Sequence, residues 1–189
     1  MQEMNDQDLW VFGYGSLMWR PGFAHAERRL ARLAGWRRRF CLKSIHYRGT
    51  PEAPGLVLGL DADPAGWCDG VAFRVAAPEA AAVHAYLRER ELVSYAYRET
   101  RLPVALADGP TVPALAYVID PDHPQYAGVL PPETQAAIIA AAAGPMGSNA
   151  EYLENTAAHL AGLGLADAEI DALRVLVRAL TRGEPACRA

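Results

Sequence analysis

LWVFGYGSLMWRPGF, residues Leu9–Phe23, decides how the start of the chain is read. Leu9–Phe12 is a short apolar strand, and it runs straight into GYGS, Gly13–Ser16. A strand that ends in glycines has given up side-chain packing. Either the backbone must bend there, or something small must approach its N–H groups. Three glycine chemistries fail on spacing. A dinucleotide fingerprint starting at Gly13 needs glycine where Met18 stands, and no Gly-Lys-Ser/Thr of a P-loop is present. A nucleophile elbow around Ser16 needs glycines at Tyr14 and Met18. What remains is a plain bend, or a concave nest of N–H groups suited to a carboxylate or oxyanion, with the Ser16 hydroxyl added and Tyr14 as a wall.

Outward from this turn the first half is β in character. Gly35–Leu42 alternates apolar residues with arginine, and Leu56–Leu60 is a brief apolar run. Asp61–Gly66, DADPAG, is a turn signal, after which Trp67–Val75 resumes a strand, so a hairpin or meander is expected. Tyr97–Ala105 and Pro113–Ile119 are further strands joined through Ala107–Pro110. Helices dominate the second half. One opens at Pro78, placed at its first position, and runs to about Ser94; another covers Pro132–Ala143. Ser148-Asn149-Ala150-Glu151 is a capping box launching a third, which ends near Gly162 or Gly164. Ile170, Leu173, Val177 and Leu180 mark a last amphipathic helix, with a frayed tail after Arg182. With no repeat, linker or composition break, the expectation is one α+β domain over 1–189, its core about 9–180.

Composition narrows the function. The 189 residues are 51% hydrophobic and 21% charged, an ordinary globular balance, and 18 Lys plus Arg against 22 Asp plus Glu leave a net charge of -4. That charge gives no pull toward nucleic acid or anionic membranes. Arg37-Arg38-Arg39 between Trp36 and Phe40 is accordingly expected to be a solvated strand face. No apolar span is long enough for a bilayer, and the acidic start MQEMNDQDLW is unlike a secretory signal. Three cysteines, Cys41, Cys68 and Cys187, with no CxxC spacing suggest neither disulfides nor zinc, and point to a reducing cytoplasm. The five histidines show no metal-binding spacing, so no metal is expected.

One carboxylate is out of place. In the helix opened by Pro78, Val83, Tyr86 and Leu87 form an apolar stripe that also contains Arg90. Glu91 lies one turn after Leu87, about 40° round the helix, whereas Glu89 faces nearly the other way. Glu91 is therefore either a helix-end partner of Arg88, Arg90 or Arg98, or a partly desolvated general base. His46-Tyr47-Arg48-Gly49 lines a pocket or turns the chain, and Tyr152 is a core aromatic or a pocket wall.

Taken together, VFGYGSL (Val11–Leu17) with Trp19, HYRGTPEAPG (His46–Gly55), YLRERELVSYAYR (Tyr86–Arg98) and AAGPMGSNAEYL (Ala142–Leu153) resemble the ChaC-like γ-glutamylcyclotransferases, in the family's order and over nearly the whole chain. The resemblance implies a mixed, barrel-like sheet with helices around it, and a cofactor-free enzyme that cleaves glutathione into 5-oxoproline and cysteinylglycine. It implies that Val11, Phe12, Gly13, Tyr14, Gly15 and Ser16 cradle the γ-glutamyl group. Glu91 falls on the family's catalytic glutamate and Tyr152 on a tyrosine near its pocket. The groups that recognise the cysteinylglycine half stay open, with Arg48 as a candidate contact. Where some members have Gly-Gly-Tyr after the glutamate, this chain has Leu92-Val93-Ser94-Tyr95-Ala96-Tyr97. The implied partner is a small molecule, glutathione or a related γ-glutamyl compound, with no nucleic acid, membrane or obligate protein partner. The competing readings are a cyclotransferase for other γ-glutamyl amines or peptides, and a non-catalytic binding protein that regulates ion transport.

Overall fold

A computed structural model describes residues 7–183. The tail expected to fray lies mostly, and Cys187 wholly, outside the described residues, as does most of the acidic start. The chain folds as two compact units. Among the described residues, the first comprises those up to Arg38 together with Gly59–His123, the second Arg39–Leu58 together with those from Pro124 onward.

Five strands close into a barrel in the order β1 (Leu9–Gly13), β3 (Gly55–Val75), β2 (Glu27–Ser44), β4 (Tyr97–Leu106), β5 (Thr111–Ile119). β1 runs antiparallel to β3, from Leu9 opposite Val75 to Gly13 opposite Val71, and parallel to β5, with Val11 opposite Leu115. That parallel pair beside antiparallel ones makes the barrel mixed, as the resemblance implies. β4 and β5 form a hairpin whose turn falls on the anticipated Ala107–Pro110. Ala114–Ile119 is buried without interruption, so this strand is covered on both faces. Small Ala114 and Ala116 alternate there with Leu115 and Tyr117, which suits the narrow interior of a small barrel.

The hairpin expected at Asp61–Gly66 is absent: β3 continues through it as one strand of 21 residues. The turn-forming tendency of Asp63 is used locally instead. Its Oδ1 accepts a hydrogen bond from the Ala65 N–H at 3.3 Å, while its Oδ2 takes the Arg37 Nε–H at 2.9 Å. A local signal has been absorbed by the ladder. β2 likewise starts at Glu27, well before Gly35, which sits inside it with a left-handed φ of 81°.

α1 (Ala77–Glu91) follows in the first unit, burying Ala80, Val83 and Leu87, and it stops three residues short of the expected Ser94. It begins at Ala77, with Pro78 second. The Ala77 N–H is met by Asp8 Oδ1 at 3.0 Å, so a distant carboxylate replaces the missing side-chain cap.

In the second unit α2 (Pro132–Ala141) packs on α3 (Asn149–Gly162) and α4 (Ala168–Arg182). A minimal ladder of β6 (Ala143–Gly144) and β7 (Gly147–Ser148) precedes α3. The capping residue is Ser148, whose Oγ accepts from the Glu151 N–H at 3.1 Å. Asn149 is fully buried, and its amide pairs with both backbone groups of Leu56, at 2.6 and 2.7 Å. Ile170, Leu173 and Val177 are buried as expected, but Leu180 is half exposed in the last turn. Gly183 ends α4 with a left-handed φ of 69°.

Candidate active site

Val11 and Phe12 are fully buried strand residues, so they anchor the turn that follows with their side chains in the core. The glycines then allow two close approaches. A Cβ on Gly13 would stand 3.1 Å from the Leu17 Cβ, because a short 3-10 turn over Ser16–Met18 folds back over it. A Cβ on Gly70 in β3 would meet the Gly13 carbonyl oxygen at 2.4 Å. Tyr14 is buried, donates its hydroxyl to the Tyr117 carbonyl at 2.9 Å, and receives the Arg38 Nε–H on its own carbonyl at 2.6 Å. The turn is thereby pinned from two sides. The Gly15 and Ser16 carbonyls accept from Met18 and Arg20, at 2.9 and 2.8 Å, whereas the Gly15 and Ser16 N–H groups find no acceptor among the described residues. Gly15 is buried and Ser16 is exposed. These donors suit an anionic or carbonyl oxygen.

Arg38 corrects the expectation of a solvated arginine face, since it is only 4% exposed. Besides Tyr14 it serves the Asp69 carbonyl, and this pairing with backbone oxygens makes its burial tolerable. Nothing in its sequence neighbourhood marks it, because both partners are remote along the chain.

Glu91 is the last residue of α1, with 19% of its side chain accessible. Of the three arginines considered as partners, Arg90 pairs with it, Nε to Oε1 at 3.1 Å. Arg88 turns to Glu99, and Arg98 to Asp120 and Asp122. Burial pushes the Glu91 carboxyl above the usual glutamate range, and Arg90 pulls it back only in part. Glu89 is exposed, as its place on the helix predicts.

The turn and Glu91 share one neighbour, Arg90, and the turn is tied separately to Tyr117. Arg90 Nη2 donates to Ser16 Oγ at 3.1 Å while its Nε holds Glu91. Tyr117 takes the Tyr14 hydroxyl on its carbonyl, and its phenol donates to Glu99 Oε2 at 3.1 Å. Burial raises the Tyr117 phenol far above its ordinary value, and the charges of Glu99 and Glu91 add to this, so it stays a neutral donor. Glu99 also meets His84 Nε2 at 2.9 Å; burial pulls Glu99 upward, but the bonds from His84 and Tyr117 and the charge of Arg88 hold it below the usual range. Tyr117 and Glu99 carried no signal in the sequence; Arg90 did, as a charge inside an apolar stripe.

Arg48 and Tyr152 lie in the second unit. Arg48 sits over the Tyr152 ring at 5.5 Å, donates to the Ser148 carbonyl at 3.1 Å, and stands 3.5 Å from Glu151. Tyr152 also meets Phe40 edge to face. The segment His46–Gly49 turns the chain between β2 and β3: a Cβ on Gly49 would collide with the Gly55 nitrogen at 2.1 Å.

Residues 9–180 match the family model of ChaC-like proteins. The chain belongs to the ChaC-like family. This ChaC-like chain is 38% identical over 172 residues to the glutathione-specific gamma-glutamylcyclotransferase of Escherichia coli (strain K12), spanning 91% of the chain and 74% of that protein. It is 40% identical over 149 residues to the human glutathione-specific gamma-glutamylcyclotransferase 1, spanning 78% and 67% respectively. A crystal structure of a yeast γ-glutamyl cyclotransferase specific to glutathione superposes with a TM-score of 0.81 over 94% of this chain and 99% of that one. At 24% identity that likeness establishes the fold of the ChaC-like chain, a γ-glutamylcyclotransferase fold. Among its described residues no helix is long and apolar enough to cross a membrane.

Proposed function

We propose that the chain is a glutathione-specific γ-glutamylcyclotransferase that uses Glu91 for proton transfer and the Gly13–Ser16 turn as its cradle. The substrate carries its own nucleophile and electrophile. Its α-ammonium gives a proton to Glu91, and the freed amine attacks the γ-carbonyl carbon. A five-membered ring closes, and the attacking nitrogen sheds its second proton to become the lactam N–H. The bond from that carbon to the cysteine nitrogen breaks, and the two protons, carried in turn by Glu91, pass to the departing nitrogen, which leaves as an ammonium. The products are 5-oxoproline and cysteinylglycine, with no water or oxidant consumed.

Such a reaction asks the protein for three things. It must fold the substrate back on itself, an orientation effect worth several kcal/mol. It must stabilise the oxygen that gains charge during the attack, for which the unpaired Gly15 and Ser16 N–H groups are suited. It must also move a proton. Glu91 suits this best because burial outweighs its arginine neighbour and brings the carboxyl closer to working pH. The observation that carries the reading is this unusual carboxylate, joined through Arg90 to Ser16 of the turn. The names and identities of the relatives support glutathione as the substrate. The buried Cys41 and Cys68 suit a reducing cytoplasm, where we place the reaction.

Purified protein offered a panel of γ-glutamyl compounds, with 5-oxoproline measured, tests this directly. Release from glutathione alone is the expected result. Release from γ-glutamyl amines but not glutathione would reassign the substrate, and silence across the panel would remove the activity.

A further inference from the structure

We propose that Arg90 is a positioning residue for the cyclisation, its guanidinium fixing the base Glu91 against Ser16 of the cradle. The inference rests on the reading of Glu91 as the group that moves the proton. Each edge of the planar guanidinium is engaged. Nε lies 3.1 Å from Glu91 Oε1, and Nη2 lies 3.1 Å from Ser16 Oγ. Nη1 is within hydrogen-bond distance of the Arg20 carbonyl at 2.7 Å, the Pro21 carbonyl at 3.0 Å and the Tyr86 hydroxyl at 3.1 Å. The two carbonyls belong to backbone that follows the cradle, so they hold the fork as rigidly as the main chain allows. Gly22 makes this approach possible: its φ is 78°, and a Cβ there would stand 2.1 Å from the Tyr86 hydroxyl and 3.4 Å from Arg90 Nη1. A fork with five donors in one plane can face a base, a hydroxyl and two carbonyls together; an ammonium, with its donors on one nitrogen, cannot.

Position and charge are then supplied by one side chain. If Glu91 is to collect a proton from the substrate, it must begin ionised, and burial works against that. Arg90 is the cation that opposes burial there. The other titratable groups around this corner are Tyr117 from β5, with Tyr14 from the turn bonded to its carbonyl, and Tyr86 from α1. Behind Tyr117 stand Glu99 from β4 and its partners His84 and Arg88 from α1. His84 and Arg88 are committed to Glu99, and Tyr117 is held neutral, so removal of Arg90 leaves no comparable cation paired with Glu91 among the described residues.

The test compares Arg90→Met and Arg90→Lys with the wild type, following 5-oxoproline release from glutathione across pH. Arg90→Met should move the acidic limb of kcat/KM to higher pH and lower its plateau by about 10²-fold, the scale expected when reacting groups are misplaced. Arg90→Lys should keep the limb near its wild-type position, because a cation remains, but lose about tenfold on the plateau, because Ser16 and Glu91 are no longer held together. Thermal unfolding of each variant is recorded alongside, and Arg90→Lys carries the test if Arg90→Met does not fold. An Arg90→Lys enzyme with a wild-type plateau would show that charge alone suffices and would overturn the positioning role. An Arg90→Met enzyme with a wild-type limb and plateau would overturn the whole inference. The limb displacement should persist in a His84→Gln background; if it vanishes there, the limb belongs to the imidazole and the inference fails. A Glu91→Gln control separates the two readings: if that variant stays active, the role of Glu91 has failed, whereas an inactive one leaves any negative Arg90 result charged to Arg90 alone.

Discussion

Tyr95 stands four residues past Glu91 with a φ of 55° and is 72% exposed. It is the one non-glycine residue with positive φ among the described residues, in a region where a Cβ is unwelcome. Its ring makes little packing in exchange. Replacing it with glycine should relieve about 1–2 kcal/mol of backbone strain, against about 0.5–1 kcal/mol of extra chain entropy lost on folding. A small net gain in the urea unfolding free energy of Tyr95→Gly is therefore expected, and a clear loss would mean that the exposed ring contributes contacts of its own. Glu91 shows the same principle in electrostatic form. Both residues adopt states that stability alone does not favour, and both belong to the segment that closes α1.

α3 is the element whose start is most heavily specified. Ser148 caps it through the Glu151 N–H, Arg48 ties down the Ser148 carbonyl and pairs with Glu151, and the buried Asn149 amide binds Leu56 like a neighbouring strand. Loss of the cap alone is the easiest to measure: Ser148→Ala should cost about 1 kcal/mol in chemical denaturation, while Ser148→Asp should retain most of it. An unchanged midpoint for Ser148→Ala would show that Arg48 and Asn149 suffice to start the helix. The cap was legible in the sequence because its signal is local, four consecutive residues. The long strands were not, because DADPAG is a local turn signal, and the stretch before Gly35 carries no clear strand pattern, while ladders pair residues far apart along the chain. Arg38 was misjudged for a related reason. Periodicity ranks faces by polarity, and it cannot foresee that the carbonyls of Tyr14 and Asp69 will solvate a buried guanidinium.

At the scale of the whole molecule, the early strands and late helices follow from patterning and the mixed barrel only from the family resemblance, while the candidate site was legible chiefly in its two poles, GYGS and Glu91. Arg90 showed in the sequence only as a charge inside an apolar stripe, and its bridging of the two poles is revealed by three-dimensional pairing. Glu91 also leaves a mark on global stability. Its folded pKa lies above the ordinary glutamate value, so its stabilising contribution is complete in acid and is lost as pH rises through the folded value. Glu91→Gln, which carries no charge to desolvate, should therefore be at least as stable as the wild type at neutral pH, with the difference closing toward acid. Measured on that same variant, 5-oxoproline release from glutathione tests the central claim most directly. Its kcat should fall about 10²–10⁴-fold with the fold intact; a Glu91→Gln protein that releases 5-oxoproline at the wild-type rate would contradict the role of Glu91 as the group that moves the proton.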